Sequence, residues 1–195
     1  MKQFNTVLGQ MLALVPRRQF QTLVRAHGGD RYVKRFTCWS QMVCMLYAQL
    51  AGRRSLRDLE RSLAAQTRHG HHLDLAACKR NTLANANRKR DWRLYRDLFL
   101  LLRERCQAMA PRHEFRFENK LFSLDSTVID LCLSLHVWAN FRSTKAGVKV
   151  HTVLDHDGLI PHFAVVTPAN VSDIKAARGM TFERGSILVV DRGYV

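Results

Sequence analysis

The stretch ILVVDRGYV, residues 187–195, joins an unbroken apolar run to one carboxylate, Asp191, followed at once by Arg192, Gly193 and Tyr194. Four consecutive branched apolar residues read as a central strand covered on both faces. A second carboxylate has a similar setting 66 residues upstream: KLFSLDSTVIDLCL, residues 120–133, is rich in apolar and β-branched residues around Asp125. An ionised carboxylate inside a hydrophobic strand is costly to bury unless something pairs it, and a divalent cation is one such partner. Two carboxylates on adjacent strands, with a third from a following helix, can hold two metal ions for phosphoryl transfer, one ion activating the attacking oxygen and the other stabilising the leaving oxygen. Taken singly, each aspartate reads more readily as a structural carboxylate near a strand end or a helix cap; the two contexts together reverse that balance.

Between the two aspartates the pattern has the period of a sheet. GVKVHTVLDHDG (147–158) alternates, with Val148, Val150 and Thr152 on one side and Lys149 and His151 on the other, expected polar, side. Asp157-Gly158 marks a hairpin turn into a third strand, LIPHFAVVTPAN (159–170). SDIKAARGM (172–180) starts a helix at Ser172 or Asp173, and SILVVD (186–191) is the last strand. The expected order is a three-stranded meander, a helix and a buried strand.

Upstream the period becomes helical. FNTVLGQMLALV (4–15) places Phe4, Val7, Leu8, Met11, Leu12 and Val15 at three- and four-residue steps. Pro16 opens a second helix and Gly28-Gly29 closes it. Thr37 caps a third that stops at Gly52, and Ser55 with Asp58 forms a variant capping box for a fourth. TRHGHHLDL (67–75) reads as a loop, KRNTLANANRKRD (79–91) as a short polar helix, and residues 91–110 as a long one with Leu94, Leu98, Leu101 and Leu102 inward. Trp39, Trp92 and Phe99 fall at helical spacing among apolar residues and read as core. The predicted division is therefore a helical domain over 1–112 and a sheet-bearing domain over 119–195.

The formal net charge is +15, and hydrophobic residues make up 47%, enough for a packed core. Residues 1–120 hold 24 Lys+Arg against 9 Asp+Glu, whereas residues 121–195 hold 7 against 7. Such a field attracts a polyanion, most commonly nucleic acid. The polar helix offers Asn85, Arg88, Lys89 and Arg90, residue types that read base edges and clamp phosphates, so it reads as a helix-turn-helix-like DNA reader or as a solvated basic face. No stretch has the length of a membrane span and the N-terminus lacks the apolar core of a secretory signal. The five scattered cysteines have no CxxC pair, which fits free thiols in a reducing cytosol. His69, His71, His72 and Cys78 match no common zinc spacing. Trp138 either packs the core or stacks on a base.

SLDSTVIDL resembles the first catalytic block of insertion-sequence transposases of the DDE class, specifically the insertion-sequence-4 type. GVKVHTVLDHDGLIPHFAVVTPANVSD looks like the stretch that follows it, and VVDRGYV like the second block, Asp-Arg-Gly-Tyr. FTCWSQMVCMLYAQLAGRRSLRDLERSL and NTLANANRKRDWRLYRDLF resemble the helical domain often found upstream of that core. The resemblance implies an α+β chain: an all-helical DNA-binding domain, then a partial ribonuclease-H-like α/β core with a mixed sheet. It implies Asp125 and Asp191 as catalytic metal ligands for Mg²⁺ or Mn²⁺ in a two-metal site. Thr127, on the face of Asp125, would orient that carboxylate. Arg192 and Tyr194 would meet the DNA backbone near the cut, and Lys149 and His151 the transposon end. The partners implied are double-stranded terminal inverted repeats and target DNA, with a homodimer in the intact enzyme, in the cytoplasm at the nucleoid.

The third ligand of the resembled family is a glutamate in a Tyr-x-x-Arg-x-x-x-Glu-x-x-x-x-x-x-Lys helix. Glu60, Glu104, Glu114, Glu118 and Glu183 do not stand in that pattern. The expectation is a chain cut short after its second catalytic aspartate, with little or no strand transfer by itself. The rivals are a truncated DNA-binding protein or transposition inhibitor without catalysis, and a ribonuclease-H-like nuclease that is not a transposase.

Overall fold

A computed structural model describes residues 6–70, 78–131, 140–142 and 145–194. Phe4, His71, His72, Cys132 and Trp138 lie outside the described residues. The chain divides into two compact units, Met1–Leu100 and Leu101–Val195.

Unit 1 is helical: α1 (Val7–Leu14), α2 (Arg17–Ala26), α3 (Cys38–Leu50), α4 (Leu56–Gly70), α5 (Arg80–Lys89) and the first turns of α6 (Arg93–Gln107). Local chemistry sets the helix starts. The hydroxyls of Thr6, Thr37 and Ser55 accept from the backbone N–H groups of Gly9, Ser40 and Asp58 at 3.1, 3.2 and 3.1 Å. α4 continues through Gly70, so residues 67–70, expected in a loop, are helical. Phe20, Val24, Val43, Leu59, Leu83 and Leu94 form the buried interior. Trp39 is buried and meets Phe20 edge-on at 5.5 Å. Trp92, expected in the core, is 65% exposed because it lies in the turn ahead of α6.

Unit 2 carries the sheet: β1 (Leu121–Leu131), β2 (Asn140–Arg142), β3 (Lys145–Asp155), β4 (Ile160–Pro168) and β5 (Ile187–Val190), with α7 (Asp173–Arg178) before β5 and a single 3₁₀ turn, Arg192–Tyr194, after it. β3 pairs antiparallel with β1 and β4, and β5 joins the far side of β1 in parallel. With helices upstream of a mixed sheet, this order is consistent with a ribonuclease-H-like core. The β3–β4 hairpin turns at His156–Leu159, where Gly158 takes φ +74° and a Cβ would stand 2.7 Å from that of Ala110.

One sheet face is packed. Phe122, Leu124, Val153 and Tyr194 are its buried centre, with Phe163, Ala177, Met180, Phe182, Leu188 and Val190 against them. The opposite face is open: Ile187 and Val189 are 37% and 51% exposed. β5 is therefore covered on one side only among the described residues, not on both as its unbroken apolar run suggests.

Candidate active site

The parallel register pairs Phe122 with Leu188 and Leu124 with Val190. Asp125 follows Leu124 within β1, and Asp191 follows Val190 just past the end of β5. The pleat sends Phe122, Leu124, Leu188 and Val190 into the packed face and Asp125 to the open one, while Asp191 lies just past β5 at the start of the turn. Both are exposed. Asp125 was expected to need a partner against burial within an apolar strand, but alternation puts the apolar neighbours on the other side and leaves the carboxylate in water. Thr127 is exposed two residues on, on the same face.

Backbone N–H groups orient both carboxylates. Asp125 Oδ1 accepts from Ser126 N at 2.7 Å, and Asp191 Oδ1 accepts from Gly193 N at 2.8 Å. The second bond is closely fitted: a Cβ on residue 193 would lie 3.1 Å from Asp191 Oδ1 and 3.7 Å from Asp173 Oδ2. Arg192, between them in sequence, is exposed.

Beneath the carboxylates lies a polar network inside the packed face. His151 is fully buried, with Nε2 3.0 Å from Thr167 Oγ1 and Nδ1 3.2 Å from the Tyr194 hydroxyl. Lys149 Nζ donates to Asp173 Oδ1 at 3.0 Å and to Val171 O at 3.2 Å, and Asp173 Oδ1 lies 3.6 Å from His151 Nδ1. Burial holds the His151 imidazole below its ordinary value against the raising pull of Asp173, so the ring is neutral near neutrality. Burial pushes the Tyr194 phenol up; the carboxylates of Asp173, Asp125 and Asp191 push the same way, against a hydrogen bond with Ser126 that lowers it. Tyr194 thus sits among three carboxylates.

The structure redistributes the residues expected to meet DNA. Lys149 and His151 were assigned to a polar outer side of β3, but α7 and the 3₁₀ turn pack on that side, leaving Lys149 15% and His151 0% exposed at the side chain. Tyr194, expected at the DNA backbone, is buried as an anchor for the turn. Arg90 is also turned inward: its guanidinium donates to the carbonyls of Gly29, Phe36 and Thr37 and to Gln41 Oε1. Asn85, Arg88 and Lys89 remain exposed or partly exposed on α5. Asp173 and Thr167 were not singled out from sequence. Ser172 gave the only local signal, as the cap of α7, and the cap says nothing about what the next carboxylate touches.

Among the described residues no group of three or more His, Cys, Asp or Glu side chains is arranged to hold a metal ion. The donors present fit a hard cation all the same. Mg²⁺ is commonly held by one or two carboxylates, with waters and substrate phosphates completing its shell. Asp125 and Asp191 are two exposed carboxylates, each one residue past the paired Leu124 and Val190, whereas Asp173 is already paired with Lys149.

Residues 116–195 match the family described as Transposase DDE domain, and residues 3–74 match Domain of unknown function DUF4372. A 112-residue segment is 34% identical to the protein named "Putative transposase y4zB" of Sinorhizobium fredii, covering 57% of this chain and 30% of that one. No solved structure matches. The likeness to the transposase DDE domain thus spans residues 116–195, and the aligned segment spans less than a third of that relative's length. No described helix is long and apolar enough to cross a membrane.

Proposed function

We propose that the protein is a DDE transposase of the insertion-sequence-4 type, acting on double-stranded DNA at an element's terminal repeats. One observation supports the reading: the β1–β5 pairing ends at Leu124 and Val190, the residues that immediately precede Asp125 and Asp191. In this reading Asp125 and Asp191 hold Mg²⁺ or Mn²⁺, which supplies charge neutralisation at a phosphodiester undergoing in-line displacement. Arg192, exposed beside Asp191, reaches a phosphate oxygen. Thr127 shares the face of Asp125 and steadies it. Tyr194, His151, Lys149 and Asp173 keep the turn after Asp191 in place from behind the sheet. The basic unit 1 holds the DNA, and the reaction takes place in the cytoplasm at the nucleoid.

Two carboxylates hold a hard cation loosely. The 195-residue chain is accordingly expected to bind Mn²⁺ weakly and to show little strand transfer by itself. Titration of Mn²⁺ by electron paramagnetic resonance tests the site directly. The expected result is weak binding that disappears in both Asp125→Ala and Asp191→Ala. Equal Mn²⁺ binding in all three proteins would sink the metal-site reading. Strong strand transfer by the wild-type chain, lost in Asp125→Ala, would confirm the chemistry and overturn the expected weakness. Duplex binding that persists when neither variant alters metal binding would leave the DNA-binding reading without catalysis.

A further inference from the structure

Arg90 is the residue around which a basic face of unit 1 is assembled. Its side chain is 9% exposed and 3.5 Å from Asp30 Oδ1, besides its bonds to Gly29, Phe36, Thr37 and Gln41. Asp30 in turn accepts from Cys38 N at 2.7 Å, and Gln41 Nε2 donates to Asn87 Oδ1 at 2.6 Å. These bonds rivet the connection between α2 and α3, residues 28–36, to the C-terminal end of α5. A cavity of about 390 Å³ lies between the two pieces.

Its walls are mostly cationic or neutral. Thr82, Asn85, Ala86 and Lys89, at helical steps of three and four, present one face of α5 to it, while Leu83 is buried. Arg31 faces them from the connection. Asp91, the carboxylate among the lining residues, is engaged by Arg93, whose N–H donates to it at 2.9 Å. Beside Arg31 stands Tyr32, 87% exposed with φ +61°, a left-handed conformation that a bulky side chain rarely takes. Arg31 stacks over that ring at 5.0 Å. Arg31 also donates to the Tyr32 hydroxyl at 3.1 Å, so the pair stands together at the exposed edge of the cavity.

We infer that this cavity seats a phosphate of the DNA backbone, held by Arg31 and Lys89, with Thr82 and Asn85 as neutral hydrogen-bonding groups and Arg90 as the buried positioning residue. The inference rests on the reading that unit 1 binds DNA; of its residues, Arg31 lies in the region matched by a domain family of unknown function, and Thr82, Asn85, Lys89 and Arg90 lie beyond it.

The test is the salt dependence of binding to a mixed-sequence duplex, measured without divalent metal. Each lost phosphate contact lowers the slope of log K against log salt by about 0.9. The double variant Arg31→Ala/Lys89→Ala is expected to reduce the slope by about one, weaken binding about tenfold or more at low salt, and keep the wild-type melting temperature. Arg90→Met is expected to lower the melting temperature instead. An unchanged slope in the double variant would overturn the site, as would an Arg90→Met protein that melts like wild type yet loses slope. Because no metal is present, duplex binding with the predicted slopes stands even where Asp125 and Asp191 prove not to bind Mn²⁺.

Discussion

The Tyr194 hydroxyl stands 3.2 Å from His151 Nδ1, so the turn that follows Asp191 is fastened to β3, the strand on the far side of Asp125's own. A phenol three residues beyond a carboxylate thereby fixes where that carboxylate points. Tyr194→Phe keeps the ring in the core and removes the bond, and is expected to cost about 1 kcal/mol. Tyr194→Ala also opens a cavity among Phe122, Leu124 and Val153, and is expected to cost roughly 3 kcal/mol or more. Urea unfolding distinguishes the two. Equal losses would mean that the ring contributes nothing beyond its hydroxyl.

The same histidine sets a pH dependence. Burial lowers the His151 value below 6.5, and it does the same for His162, where Arg103 adds to the effect. Below pH 6.5 the unfolded chain takes up protons that these folded rings refuse, so stability present above that pH is lost as the pH falls toward the folded values. The urea midpoint is expected to be flat from about pH 8 to 7 and to drop below about pH 6.5, with a smaller drop in His151→Gln. A midpoint that climbs on acidification across that window would contradict the assignment. Asp157, held low chiefly by its bond to Lys120, acts in a separate window, below its ordinary 3.8.

Helix starts and the hairpin were legible in the sequence because their chemistry is local. Thr37, Ser55 and Ser172 each accept from an N–H three residues on, and Gly158 supplies the positive φ of the turn. The sides of β3 were not legible. Alternation separates Val148 and Val150 from Lys149 and His151, and apolar character votes for the valines as the inner face. The packing chose the other face, where α7 brings Asp173 to Lys149 and the 3₁₀ turn brings Tyr194 to His151. That decision depends on residues more than twenty positions away. The adjacency of Asp125 and Asp191 came from a resemblance, since no periodicity within either strand predicts that two segments 66 residues apart pair in parallel. Arg90 shows the converse error: a basic run reads as solvated, and only the fold reveals that one of its members is enclosed.

Lys120 joins two carboxylates at the other end of β1. Its Nζ is 3.0 Å from Asp155 Oδ2 and 2.8 Å from Asp157 Oδ2, and the Asp155 side chain is 1% exposed. Removing the cation leaves a buried charge that keeps, among the described residues, hydrogen bonds from Gln107 at 3.4 Å and the N–H of Asp157 at 2.9 Å. Lys120 itself is 38% exposed, so solvent moderates the loss. Lys120→Met is expected to cost about 2 kcal/mol, less than breaking a fully buried pair. Adding Asp155→Asn should restore part of it, because the orphaned charge is then gone. A double variant that loses as much as the sum of its single changes would show that the pair is not coupled.

Gly193 gives the sharpest separation between folding and site geometry. A methyl at this position meets Asp191 Oδ1 at 3.1 Å, too close for the Gly193 N–H to keep its 2.8 Å bond to that oxygen without movement. The residue is exposed and no backbone atom lies in the way, so the carboxylate shifts and the strand does not. Gly193→Ala is expected to leave the urea midpoint within about 0.5 kcal/mol of wild type. It is expected to weaken Mn²⁺ binding severalfold, because a ligand displaced by a few tenths of an ångström spoils the spacing that two carboxylates must keep around one small ion. Unaltered Mn²⁺ affinity together with an unaltered midpoint would show that Asp191 does not need this turn to hold its place.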